Sequence, residues 1–193
     1  MPRRPAVFID RDGCLTHEVG YVNHVSRIQL LPRTAAAVRR LNEAGFAAVM
    51  VTNQAGIARG YFSEDLLRAV NAAMVQQLED GGARLDGLYI CTHHPHEGVP
   101  PYRAECDCRK PRPGLLLRAA RELDLDLTAS VMVGDRISDV AVGQAVGAAG
   151  VLVLTGYGRG GWEHQRHEWT VKPEHVAEDL FDAVDWVLAG RRP

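Results

Sequence analysis

The sequence predicts an α/β protein: a doubly wound, Rossmann-like parallel sheet. Two observations carry that expectation. Short apolar runs of strand length alternate with helical patterns throughout the chain. Polar, chemistry-bearing residues follow several of those runs directly, at Asp10, Thr52 and Asp135, which is where open parallel sheets place their ligands. The chain has 193 residues, enough for one ordinary domain with small insertions. Residues 1–193 are therefore expected to form a single domain.

The elements follow in order. Residues 7–9 read as the first strand. Residues 34–44 read as a helix with Ala37, Val38, Leu41 and Ala44 on one face, and Gly45 as its stop. Residues 47–51 form the second strand. A helix runs from Ser63 to about Asp80, with Leu66, Leu67, Val70, Met74 and Leu78 along one side. Ser63 is its N-cap, and Glu64 and Asp65 favour the positive end of its dipole. Residues 88–90 are the third strand. Residues 93–112 are irregular, rich in Pro, His and Cys, and too long for an ordinary connection. Residues 115–123 are helical, with Pro113 near the first turn. Residues 131–133 are the fourth strand, 138–148 a small-residue helix and 151–154 the fifth strand. A glycine-rich loop at 156–161, a short edge strand at 169–171, a closing helix at 176–188 and a frayed tail at 190–193 complete the chain.

Composition excludes several function classes. Lysine and arginine number 22 against 24 aspartates and glutamates, a net charge of −2, so no broad basic field invites nucleic acid. No apolar run approaches the roughly 18 residues of a spanning helix. The basic start, Met1-Pro2-Arg3-Arg4-Pro5, lacks the apolar region of a secretory peptide. A cytoplasmic protein with neither nucleic-acid nor membrane partners is expected.

Asp10-Arg11-Asp12-Gly13 is the most informative motif. On a strand, residues i and i+2 face the same way, so both carboxylates can enter one site. Close carboxylates repel unless a cation or shared proton compensates, which points to a hard divalent metal such as Mg²⁺. An ordinary Asp-x-Asp-Gly turn explains the same residues. Thr52-Asn53-Gln54 offers a hydroxyl, an amide and backbone N–H groups at another strand end, although a polar turn fits it equally. Arg109 and Lys110 can hold an anion, the arginine bidentately. Gly134-Asp135 supplies a metal ligand from a further strand, or a helix cap. Asp139 reads as an orienting group at the start of the next helix.

Cys91, Cys106 and Cys108 offer three thiolates, and His93, His94 and His96 compete as a fourth ligand. Three clustered cysteines in a chain with no secretory signal point to a structural Zn²⁺ pinning the long loop. Cys14 lies apart and is expected to pack or to line the site.

In this order the motifs resemble the haloacid dehalogenase-type phosphatases: Asp10-x-Asp12-Gly13, Thr52, Lys110 and Gly134-Asp135-x-x-x-Asp139. More narrowly, Gly20-Tyr21-Val22, the segment from Thr52 to Gly60, Cys91-Thr92-His93-His94-Pro95 and Cys106-Asp107-Cys108-Arg109-Lys110-Pro111 are similar to the heptose-bisphosphate phosphatase family, with histidinol-phosphate phosphatases as the alternative branch. The resemblance implies a phosphatase with no large cap domain, able to work as a monomer on a small sugar phosphate. It implies Asp10 as nucleophile, Asp12 as general acid/base, and Thr52 and Lys110 as phosphoryl-binding groups. It assigns Mg²⁺ to Asp10, Asp135 and the backbone carbonyl of Asp12, and Zn²⁺ to Cys91, His93, Cys106 and Cys108 in a loop at 91–108. Asn53, Arg109, Tyr21 and Arg59 would meet substrate, Arg109 at a second phosphate. Cys14 stands where the family would carry an aliphatic residue.

Overall fold

The computed structural model describes residues 3–190. Its strands are β1 (Arg4–Ile9), β2 (Ala47–Asn53), β3 (Gly87–Cys91), β4 (Leu125–Gly134), β5 (Ala149–Val153) and β6 (His175–Ala177). All pair in parallel, in the order β3-β2-β1-β4-β5-β6. The helices are α1 (Thr34–Glu43), α2 (Glu64–Asp80), α3 (Gly114–Glu122), α4 (Ile137–Ala145), α5 (Gly158–His164) and α6 (Leu180–Leu188).

Burial of the sheet on both faces explains its continuous apolar runs. Along β1, Val7 and Ile9 enter one core with α1, α2 and α6, while Ala6 and Phe8 enter a second with α3 and α4. Met132 of β4 joins the second core, and its neighbours Val131 and Val133 join the first. The chain leaves β1 toward β2 and β3, then crosses back to β4. That reversal opens a crevice at the carboxyl ends of the central strands. Three long connections rise there: 10–33, 54–63 and 92–113.

The α2 start matches the sequence, since Ser63 accepts the Leu66 N–H at 3.2 Å. Several edges differ. The first strand reaches back to Arg4 and the fourth to Leu125. Residues 169–171 are not a strand; the edge strand is β6, which pairs with β5 from His175 to Ala177. Trp169 instead lies 6.2 Å from Trp162, ring to ring. The closing helix begins at Leu180, where the Asp179 side chain accepts the Asp182 N–H at 3.0 Å. The glycine-rich stretch is only partly a loop, because Gly158 opens α5. Of the tail expected to fray, residues 191–193 lie outside the described residues.

Candidate active site

Asp10 directly follows β1, and its backbone N–H still donates to Val133 of β4. The next residues turn away through Gly13, whose φ of +78° is in the left-handed region open to glycine. Gly13 and Gly156 clasp Asp135 between them: a Cβ on either would collide with the Asp135 carboxylate. The Asp135 Oδ2 accepts the Tyr157 N–H at 2.8 Å. Its Oδ1 is buried with no hydrogen-bond partner.

Lys110 comes in from the loop before α3 and is buried. Its ammonium lies 3.0 Å from Asp10 Oδ2 and 2.7 Å from Asp139 Oδ1, and donates to the Val51 carbonyl at 3.0 Å. Burial alone would lower the lysine pKa, but Asp10 and Asp139 hold it above its ordinary value. Asn53 fixes the lysine backbone, donating to the Lys110 carbonyl at 3.1 Å and accepting its N–H at 3.0 Å. Asp139 thus acts on Lys110, in keeping with an orienting role.

Asp10, Asp135 and Asp139 each bring a carboxylate oxygen within 4.8 Å of the others. Burial first, then the charges of Asp10 and Asp139, push the Asp135 carboxyl up to about 7. An all-oxygen set with a buried, unpartnered oxygen fits a hard cation such as Mg²⁺. The Asp12 side chain is not in this set. Two groups hold it instead. Arg11 donates Nε to Oδ1 at 3.0 Å and Nη2 to Oδ2 at 2.9 Å, and Gln54 donates to Oδ2 at 2.7 Å. The Asp12 side chain therefore lies outside the carboxylate cluster.

The crevice encloses about 390 Å³. It brings together Asp10, Asp12, Thr52, Asn53, Lys110, Tyr21, Arg59 and Arg109, every substrate-contacting residue expected from the sequence. Thr52 accepts the Gln54 side-chain N–H at 3.0 Å. Tyr21 packs edge-on against Tyr61 at 4.5 Å. Arg59 is paired with Glu97 at 3.2 Å, and Arg109 donates to the His93 carbonyl at 3.2 Å. Glu18, Gln54, Arg136 and Tyr157 also line the crevice and were not among the expected contacts. For Gln54 a signal existed, because strand alternation puts it on the side of Thr52. Cys14 is a core thiol whose pKa burial, then Asp10, push well up, so it stays neutral.

In the long loop, the ligand atoms of Cys91, His93, Cys106 and Cys108 lie within 4.8 Å of one another. Sγ of Cys106 is 3.7 Å from that of Cys91 and 3.3 Å from that of Cys108, which is 3.4 Å from His93 Nδ1. Tetrahedral zinc with bonds of about 2.3 Å to sulfur requires sulfur–sulfur edges of about 3.8 Å. The donor set fits zinc. His94 is turned elsewhere: its Nδ1 accepts the His96 and Glu97 N–H groups at 3.2 and 3.0 Å.

Comparison with known proteins agrees with this arrangement. Residues 107–183 match the HAD-hydrolase-like family. The D-glycero-D-manno-heptose-1,7-bisphosphate 7-phosphatase of Thermosynechococcus vestitus is 42% identical over 201 aligned positions, covering 100% of both chains. The D-glycero-beta-D-manno-heptose-1,7-bisphosphate 7-phosphatase of Yersinia pestis is 46% identical, covering 95% of this chain and 89% of its own. Among solved structures, the D,D-heptose 1,7-bisphosphate phosphatase of B. bronchiseptica, complexed with magnesium and phosphate, superimposes with a TM-score of 0.84 at 31% identity, over 96% of this chain and 99% of that one.

Proposed function

The chain belongs to the HAD-like hydrolases and, within them, to the heptose-bisphosphate phosphatases, and from that premise we propose that it removes the 7-phosphate of D-glycero-D-manno-heptose 1,7-bisphosphate. One observation supports the reaction above all: Asp10, Asp12, Thr52 and buried Lys110 line one small crevice. The relatives' names supply the substrate.

In the first step an Asp10 carboxylate oxygen bonds to phosphorus as the bond to the sugar oxygen breaks, giving an aspartyl-phosphate. Asp12 hands its proton to the departing oxygen. In the second step water attacks phosphorus, Asp12 takes its proton, and the Asp10–phosphorus bond breaks. Lys110 and Thr52 stabilise charge on the transferring oxygens. Asn53, Tyr21, Arg59 and Arg109 hold the sugar and its second phosphate. Asp10, Asp135 and the Asp12 carbonyl would hold Mg²⁺, which offsets repulsion between an anionic nucleophile and an anionic ester. Zn²⁺ in the Cys91, His93, Cys106 and Cys108 set is structural, and fixes the loop that carries Arg109 and Lys110. The enzyme works as a single-domain cytoplasmic monomer in nucleotide-activated heptose synthesis, for a lipopolysaccharide core or a surface glycan, without nucleic-acid or membrane partners.

Phosphate release from the α and β heptose bisphosphates, measured beside histidinol phosphate with Mg²⁺, tests the proposal. The expected result is turnover of one or both heptose esters with the 1-phosphate retained. Equal or faster turnover of histidinol phosphate would overturn the substrate assignment.

A further inference from the structure

Arg11 is among the largest fully buried side chains in the protein, at 1% exposure, and the reaction steps above do not use it. A buried guanidinium is costly unless well paired. Its side chain bonds two residues, Asp12 and Asn71. Nε and Nη2 form a fork on the two Asp12 oxygens at 3.0 and 2.9 Å. Nη1 donates to Asn71 Oδ1 at 3.1 Å, and Asn71 is itself buried on α2. The fork is therefore tied to a helix of the core.

The pairing also distinguishes the two Asp12 oxygens. Oδ2 accepts twice, from Arg11 and from Gln54 at 2.7 Å. Oδ1 accepts once, from Arg11 Nε. A carboxylate oxygen has two in-plane lone pairs, so Oδ1 keeps one for a proton.

We infer that Arg11, anchored by Asn71, is a positioning residue that aims Asp12 for proton transfer through Oδ1. The inference rests on the proposed role of Asp12 as acid and base. The proton on Oδ1 passes to the ester oxygen as the bond from that oxygen to phosphorus breaks. Oδ1 then receives the proton of the attacking water as the Asp10–phosphorus bond breaks, restoring the starting state. A fork that fixes the carboxylate plane removes the reorientation otherwise required in each step.

The leaving group gives the test. A sugar alkoxide needs a proton to depart, and p-nitrophenolate does not. Single-turnover rates with enzyme in excess, with Mg²⁺, would be measured for the heptose bisphosphate and for p-nitrophenyl phosphate. The enzymes would be the unaltered chain, Arg11→Met, Arg11→Lys and Asn71→Leu. For Arg11→Met the expected loss on the sugar ester is about 100-fold, within the range for general acid–base catalysis. Release of p-nitrophenol should fall by less than about 5-fold, with the enzyme concentration that gives half the maximal single-turnover rate on the sugar ester nearly unchanged. Arg11→Lys keeps the charge without the fork and should remain defective. Asn71→Leu should show the same selectivity at about 3- to 10-fold, which keeps the test available if Arg11→Met fails to fold. Equal losses on both esters in Asn71→Leu, or full activity in Arg11→Lys, would overturn the inference. Failure of the unaltered enzyme on the heptose ester would count against the proposed substrate instead. Glycerol 2-phosphate, another alkyl ester, then serves for the same comparison.

Discussion

At the scale of residues, the crevice is a charge-balancing problem solved with few groups. Asp10, Asp135 and Asp139 converge within 4.8 Å, and one ammonium, Lys110, lies against two of them. The remaining deficit falls on Asp135, whose Oδ1 has no partner. Asp10→Asn keeps the size of the nucleophile and removes its charge, so phosphate release is expected to fall at least about 10⁴-fold, the scale of losing a covalent nucleophile; survival of most of the activity would refute the assignment. Gly13→Ala tests the clasp on Asp135. Its φ of +78° disfavours a side chain, and the new Cβ would strike the Asp135 carboxylate. A stability loss of about 1–2 kcal/mol is expected from the backbone alone, read by urea denaturation. A Mg²⁺ titration of activity should shift to higher concentration as Asp135 is displaced. Asp10 and Asp135 were legible in the sequence because each directly follows a strand, whereas Asp139 lies in the first turn of α4. Arg11 was not legible as a partner of Asp12, since adjacency in sequence says nothing about a side chain that curls back and is buried under a helix.

At the scale of elements, the loop from 92 to 113 carries the largest consequence. It has no strand pairing beyond one isolated bridge, His94 with Arg103, yet it delivers Arg109 and Lys110 to the crevice. Hydrogen bonds from Asn53 hold the Lys110 backbone, and the Cys91, His93, Cys106 and Cys108 cluster offers a metal cross-link between the loop's two ends. Elemental analysis is expected to find about one zinc per chain, and chelation should lower the melting temperature and abolish activity together, with activity not restored by excess Mg²⁺ alone, because metal-binding energy is folding energy in such loops. A metal-free chain that stays folded and active would overturn the zinc assignment. The cluster could be read from cysteine spacing, but the choice of His93 came only from resemblance; the contacts of His94 with backbone N–H groups give the physical reason. The sheet edge was misread for an equally physical cause. Trp169-Thr170-Val171 has strand-like composition, but its tryptophan packs beside Trp162, and the ladder with β5 falls four residues later. Sequence composition records a taste for burial, and it does not choose the neighbour that provides it.

At the scale of the whole molecule, one sheet with helices on both faces supports the crevice, and three long connections wall it. A monomer, as proposed above, makes two predictions. Specific activity is expected to stay constant on dilution, and light scattering after gel filtration should give the mass of one 21.2 kDa chain; activity lost on dilution alongside a dimer mass would contradict this. The doubly wound topology was the most legible property, because it rests on the order of elements rather than on their exact ends. The parallel arrangement has one more consequence. Every crevice residue sits at the carboxyl ends of the strands, while Arg4 enters β1 at the opposite end and α6, following β6, runs back toward that same side. The molecule therefore has a working face and a mounting face. Tethering it to a bead, an electrode or a second enzyme beside Arg4 or the end of α6 would leave the mouth of the crevice open to diffusing substrate.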